Sequence, residues 1–281
     1  MPLFGAIEAG GTKFMLAVGE HPLRLEQVTR IPTSNNPAET IKAVIEYFRR
    51  AGPLRAAGVA TFGPVDFATG RITTTPKLAW RGYPLRAALE EALGVPVGFD
   101  TDVNGAALAE ARYGAGRGVE DLVYFTVGTG IGGGALAGGR LVHGLMHSEM
   151  GHLLVRRAPE DVPGFAGVCP YHGDCLEGMA SGPAIEARWG RRAEALPPNH
   201  PAWRVEADYL AQACIAVACV LSPRVIVLGG GVMEQAQLLE LIRARVAEYA
   251  NGYFPLPEVE RPGLEHPGLS GALILAQEAA R

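Results

Sequence analysis

The chain has 281 residues, 48% of them hydrophobic and 19% charged, with a formal net charge of −4. That length suits two domains better than one core, and the acidic balance argues against a nucleic-acid platform, which carries a basic patch or stripe. No apolar run is long enough for a bilayer, and MPLFGAIEAGG lacks the basic and apolar regions of a signal peptide, so a cytoplasmic location is expected.

Leu3 to Glu8 reads as a buried strand. The turn Gly10-Gly11-Thr12-Lys13 follows, then a second strand from Phe14 to Val18. Glycines let backbone N–H groups approach an anion, and Thr12 and Lys13 add a donor and a charge, which suits a phosphate. No helix follows, so this is not a Walker loop. A Gly-Gly hairpin is also an ordinary turn.

Pro37 to Arg50 has helical spacing of apolar residues at Ile41, Val44, Ile45 and Phe48. Ala56 to Thr61 is a buried strand running into Phe62-Gly63-Pro64-Val65-Asp66, a turn that brings backbone close to a neighbour. The loop from Thr73 through Thr75 to Trp80 offers hydroxyls and an indole, which suit a sugar pocket or an ordinary surface loop. A short helix is expected over Leu85 to Leu93, a strand over Val95 to Phe99, and a helix over Gly105 to Tyr113. Between them stands Asp100-Thr101-Asp102-Val103-Asn104. Asp and Thr are both favoured helix caps, and one aspartate can cap while the other projects. A carboxylate there is held ionised by the helix dipole and faces the ligand side of a sheet, so Asp102 reads equally as cap or general base.

Leu122 to Val127 is a strand followed by Gly128-Thr129-Gly130-Ile131-Gly132-Gly133-Gly134. The dinucleotide fingerprint is rejected, because a second hairpin follows through Gly138, Gly139 and His143 instead of a helix. EAGGTKFMLAVG and VGTGIGGGALAGG thus repeat one arrangement, strand, glycine turn with Thr, strand. Two such turns facing across a cleft would hold a polyphosphate from both sides.

His152, Cys169, His172 and Cys175 offer two thiolates and two imidazoles at short spacing, the donor set of a closed tetrahedral zinc site. Glu149 and Glu177 flank these ligands and would be fixed by the metal. Ser181 caps a helix with Pro183 in its first turn, running to about Arg191. Pro197 to Pro201 is a linker. Arg204 to Leu221 is an apolar helix whose Cys214 and Cys219 read as buried free thiols. Val225 to Leu228 is a strand meeting Gly229-Gly230-Gly231, with a helix expected from about Met233 to Tyr249, which would place backbone N–H groups toward a nucleotide. A last helix begins near Gly268.

The run EAGGTK, DTDVN, GTGIGGG, Glu149 to His152, CPYHGDCLEG and LGGGV resembles the ROK family of sugar kinases and repressors, of the actin-like ATPase superfamily, over essentially the whole chain. It looks closest to the bacterial fructokinase branch. The resemblance implies an α/β, ribonuclease H-like fold of two domains with a cleft between them and a zinc-pinned loop. The smaller domain would take residues 1–115 with 270–281, and the larger 116–269.

It also implies site roles. Gly10, Gly11, Thr12 and Lys13, with Gly128, Thr129 and Gly130, match the two phosphate loops. Gly229, Gly230, Gly231, Val232 and Met233 match the adenosine loop, and Pro183 the adenine edge. Asp102 matches the catalytic base. Gly63, Thr75, Thr101, Asp102, Glu149, His152 and Glu177 fall to the sugar, and His152, Cys169, His172 and Cys175 to zinc. Glu8 stands where many members carry Asp, which routes magnesium through water or shifts it. Thr101 replaces the Asn usual in glucokinase-like members, and His172 replaces one Cys of the commoner three-Cys site. The implied activity is ATP- and magnesium-dependent phosphorylation of a hexose, foremost D-fructose to fructose 6-phosphate, by a homodimer with structural zinc. The alternatives are a kinase for mannose, glucose or an N-acetylated hexose, and a non-catalytic sugar-binding ROK protein. A repressor would need a helix-turn-helix ahead of the first strand, for which no room is expected before Leu3.

Overall fold

The computed structural model describes residues 3–281. The chain forms two compact units, one comprising residues up to Gly114 with Leu141–His147 and Leu264–Arg281, the other Ala115–Arg140 with Ser148–Gly263.

The first unit opens with β1 (Leu3–Ala9), β2 (Lys13–His21) and β3 (Arg24–Pro32). Helix α1 (Pro37–Ala51) is capped by the Asn36 side chain, which accepts from Ala38 N. Then come β4 (Leu54–Thr61), the short pair β5 (Val65–Asp66) and β6 (Arg71–Ile72), α2 (Leu85–Leu93), β7 (Val97–Thr101) and α3 (Asp102–Tyr113). The sheet order is β3-β2-β1-β4-β7, with β1 antiparallel to β2 and parallel to β4. Strand β3 was not expected from the sequence. It is an edge strand with mostly exposed side chains, so it carries no apolar run.

The second unit contains β8 (Leu122–Val127), β9 (Ile131–Ala137), β10 (Arg140–Leu141), α4 (Leu176–Ala180), α5 (Gly182–Trp189), α6 (Ala202–Leu221), β11 (Val225–Gly229), α7 (Leu238–Ala250) and β12 (Glu258–Glu260). Its sheet runs β10-β9-β8-β11-β12, with β8 antiparallel to β9 and parallel to β11. Each unit therefore repeats one plan: a first strand paired antiparallel on one side and parallel on the other. Cys214 is buried, whereas Cys219 is exposed, contrary to expectation, because the last turn of α6 reaches the surface.

The chain returns to the first unit as α8 (Pro267–Ala279). The alternation of β1, β2 and β4 sorts side chains onto two faces. Ile7, Phe14, Leu16, Val18, Val59 and Trp80 share one core with Ile41, Val44 and Phe48 of α1 and with Leu85 and Leu89 of α2. On the other face Ala6, Ala17 and Ala60 are buried against Leu269, Ala272 and Leu273 of α8, with Phe4, Met15 and Leu25 at the margin. Small residues there let the α8 backbone lie directly on the sheet. Among the described residues no helix is long and apolar enough to cross a membrane.

Candidate functional site

In the first unit the turn between β1 and β2 is closed by Gly10 N–H donating to Lys13 O at 2.9 Å. Thr33 braces it, its hydroxyl donating to Gly10 O at 2.7 Å and its N–H to Thr12 O at 3.0 Å. Thr12 and Lys13 are left exposed. Glu8, on the α8 face of β1, has its carboxyl group pushed above the usual range by burial, against the opposing pull of Lys13 and His266. A methyl group on Gly268, at the start of α8, would meet the Glu8 carboxyl carbon at 2.5 Å, so that glycine makes room for it.

Strand β7 delivers the chain to α3, and Thr101 is the cap, accepting from Asn104 N at 3.2 Å. Of the favoured cap types here it is the threonine, and neither flanking aspartate, that caps. Thr101 is itself buried. Asp102 is the first helical residue, with Oδ1 accepting from Val103 N at 2.9 Å. Asp100 is buried and accepts from Thr101 N at 2.7 Å and Asn104 Nδ2 at 2.8 Å, both at Oδ1. Its Oδ2 lies 2.9 Å from His143 Nε2. Burial raises the Asp100 carboxyl pKa, and these three partners oppose the rise. His143 went unrecognised in sequence, where nothing near it signals a partner.

Gly63 precedes a cis peptide to Pro64. His147, buried, accepts from Val65 N at 3.1 Å through Nε2, and a methyl group on Gly63 would lie 3.0 Å from its ring. Thr75 is buried, its Oγ1 accepting from Lys77 N at 3.3 Å. The indole offered by this loop lines no sugar pocket: Trp80 is fully buried against Phe14, Phe62 and Tyr83, and its Nε1 donates to Ser34 O at 2.9 Å. A large aromatic gains more by burial with its one donor satisfied than by exposure.

In the second unit the turn from β8 to β9 is closed by Gly128 N donating to Gly130 O at 2.9 Å. Gly182 N, at the start of α5, donates to Gly128 O at 2.8 Å, so this helix abuts the turn. Ser181 caps α5 as expected, and Pro183 is exposed in its first turn. Glu177 lies on the same turn, with Oε2 accepting from Ile131 N at 2.9 Å. A methyl group on Gly130 would sit 2.7 Å from that oxygen.

Strand β11 runs into Gly230 at φ 93°, a conformation that favours glycine. A methyl group there would also meet Val127 O at 2.4 Å. Before the expected helix, and delaying its start, comes a 3-10 turn, Gly231–Glu234, with Val232 and Met233 buried. Arg261 holds it, donating to Met233 O and, at 2.9 Å, to Gln235 O. Those bonds fix an irregular turn, so α7 begins only at Leu238.

The donor atoms of His152, Cys169, His172 and Cys175 all lie within 4.8 Å of one another. His152 Nδ1 is 3.4 Å from Cys175 Sγ and 3.8 Å from Cys169 Sγ, and His172 Nδ1 is 3.7 Å from Cys169 Sγ. Tetrahedral zinc with its usual bond lengths separates N and S ligands by about 3.5 Å, so the four residues fit that ion. The Cys169–Gly173 turn presents His172 and closes with Cys169 N to Gly173 O at 3.2 Å and the reverse at 3.0 Å. Burial pushes the Cys175 thiol up to about 11, the opposite of what a free nucleophilic cysteine needs. The cluster engages His152 through Nδ1, leaving Nε2 directed elsewhere. Glu149 is exposed just before the 3-10 turn that carries His152, and its carbonyl accepts from His152 N at 3.0 Å.

The profile of the ROK family matches residues 4–279. The fructokinase of Zymomonas mobilis is 43% identical, covering 99% of this chain and 97% of its own. Relatives named fructokinase stand at 38 to 43% identity. A ROK hexokinase structure from Thermus thermophilus shares 30% identity at a TM-score of 0.81, covering 98% of each chain. A ROK glucokinase structure from Streptomyces griseus, in complex with glucose and AMPPNP, shares 27% identity at 0.82, covering 98% of this chain and 99% of that one.

Proposed function

Because the chain belongs to the ROK family, we propose that it is a hexose kinase transferring the γ-phosphoryl group of magnesium-ATP to O6 of D-fructose. The observation that carries the reading is that the first strand of each sheet ends in a glycine turn, while Asp102 opens α3 in the first unit. Asp102 is the first residue of α3, directly after a parallel strand, where the helix dipole favours its charged form. The turns at Gly10–Lys13 and Gly128–Gly130 end the first strand of each sheet at matching points of the shared plan. The names of the fructokinase relatives support fructose as acceptor, and the AMPPNP complex of a family member supports ATP as donor.

Asp102 would accept the proton of the attacking hydroxyl. The backbone N–H groups of both turns, with Thr12, Lys13 and Thr129, would bear on the phosphates, where positioning and electrostatics supply most of the acceleration. Gly229–Met233 and Pro183 would hold the adenosine. Gly63, Thr75, Thr101, Glu149, His152 and Glu177 would position the sugar. His152, Cys169, His172 and Cys175 would hold structural zinc, which fixes His152 and the loop around it. A cytoplasmic homodimer completes the reading.

ADP release, coupled to a reporter, is measured with magnesium and a panel of fructose, mannose, glucose and N-acetylated hexoses. Turnover greatest with fructose is expected. Turnover confined to another sugar overturns fructose, and sugar binding without turnover on any acceptor overturns the kinase.

A further inference from the structure

We propose that His143, oriented by the buried Asp100, accepts a hydrogen bond from one hydroxyl of the acceptor sugar and so helps choose among hexoses; this rests on the hexose-kinase reading.

The orientation follows from counting donors. Oδ1 of Asp100 already accepts two N–H groups, from Thr101 and from Asn104. Oδ2 faces His143 Nε2 at 2.9 Å. A carboxylate only accepts, so Nε2 carries the proton, and in the neutral ring Nδ1 then holds a lone pair. Asn104 Nδ2 lies 3.3 Å from the same Nε2, but both are donors aimed at one carboxylate. Flipping the amide would set its carbonyl oxygen against Oδ1, so the arrangement is self-consistent.

The ring is also held on its face. Phe67 lies 4.3 Å away between centroids, tilted by 55°. Yet the His143 side chain is 37% exposed while that of Asp100 is only 4% exposed. Among the described residues Nδ1 has no hydrogen-bond partner. A buried carboxylate thus fixes the tautomer of a partly exposed imidazole whose other nitrogen is an acceptor. The residues that anchor it, Thr101 and Asn104, flank Asp102 in the first turn of α3. An acceptor of defined tautomer, held by a residue two positions before the base, matches a polyol, whose hydroxyls can each donate one proton.

The test compares wild type with His143→Phe on fructose and on its 1-, 3- and 4-deoxy analogues, with KM and kcat measured separately. His143→Phe is expected to raise KM for fructose about tenfold with a smaller change in kcat, the scale of one hydrogen bond. Wild type is expected to disfavour one deoxy sugar by a similar factor, and the variant to lose that preference. A ring that merely satisfies Asp100 would lower the melting temperature and leave the ranking of deoxy sugars as in wild type, which overturns the proposal. His143→Gln, which can still donate to Asp100, reads the same ratio if the Phe variant does not fold. An active wild type with an unchanged ranking overturns this inference alone. A wild type that phosphorylates no hexose overturns it together with the kinase reading.

Discussion

Gly58 of β4 lies so close to α8 that a methyl group on it would sit 1.9 Å from the carbonyl oxygen of Ala272. The contact is with backbone, which cannot swing aside as a side chain does. Gly58→Ala is expected to lose about 3 kcal/mol or more of stability, the upper range of overpacking. Denaturant melts check this, and a variant as stable as wild type would show that α8 can shift at little cost.

Asp102→Asn keeps the shape of the side chain and removes its basicity. Phosphoryl transfer is expected to fall by about 10²–10⁴, the range supplied by a positioned base, with fructose affinity within a few-fold of wild type. Single-turnover kinetics and calorimetry separate the two effects. Normal turnover would move the base to another residue.

Trp80→Phe is expected to lower stability by about 1–3 kcal/mol, from lost volume and from Ser34 O left without its donor. KM for the sugar should stay at the wild-type value, because the indole is buried. A large rise in KM with unchanged melting would return the indole to the sugar.

Metal analysis is expected to find one zinc per chain, lost in Cys175→Ser. Chelation should lower both the melting temperature and sugar affinity, since His152 and the Cys169–Gly173 turn would lose their anchor. Unchanged melting in a verified zinc-free sample would sink the structural role.

Glu206 of α6 is fully buried, and neither carboxyl oxygen has a hydrogen-bond partner. Burial raises its pKa well above the ordinary value, against the pull of Arg188. The folded chain therefore keeps a proton that the unfolded chain has released, so stability falls as pH rises above the unfolded value near 4.5 toward the folded value. For one group the slope is at most about 1.4 kcal/mol per pH unit. Glu206→Gln should remove this slope, gaining on wild type as pH rises above about 4.5. Parallel pH–stability curves for the two proteins would show the carboxyl group to be paired.

Much of this architecture was legible because apolar runs and glycine turns are local signals. The bounds of α2 and β8 match the sequence pattern residue for residue, and the Ser181 cap and four-ligand cluster also follow from spacing. What the sequence hid depends on distant partners. Asp100, Thr101 and Asp102 are all capping residue types, and only the turn out of β7 selects Thr101. Trp80 is buried by Phe14 and Phe62, far from it in the chain. His143 gains meaning only from Asp100, 43 residues earlier. The turn after Gly230 is irregular because Arg261 binds its carbonyls, an arrangement no local pattern announces.

The chain leaves the first unit at Gly114, visits it again for Leu141–His147, and closes it with α8. During synthesis the α8-facing side of its sheet, lined by Ala6, Ala17, Gly58 and Ala60, must wait for the entire second unit to be translated before α8 can cover it. A nascent chain stalled anywhere before Pro267 would present that face to chaperones, whatever the state of the second unit. Swapping either unit between relatives would likewise need several crossovers, so substrate choice in this architecture is more readily altered by point substitutions than by exchange of whole segments.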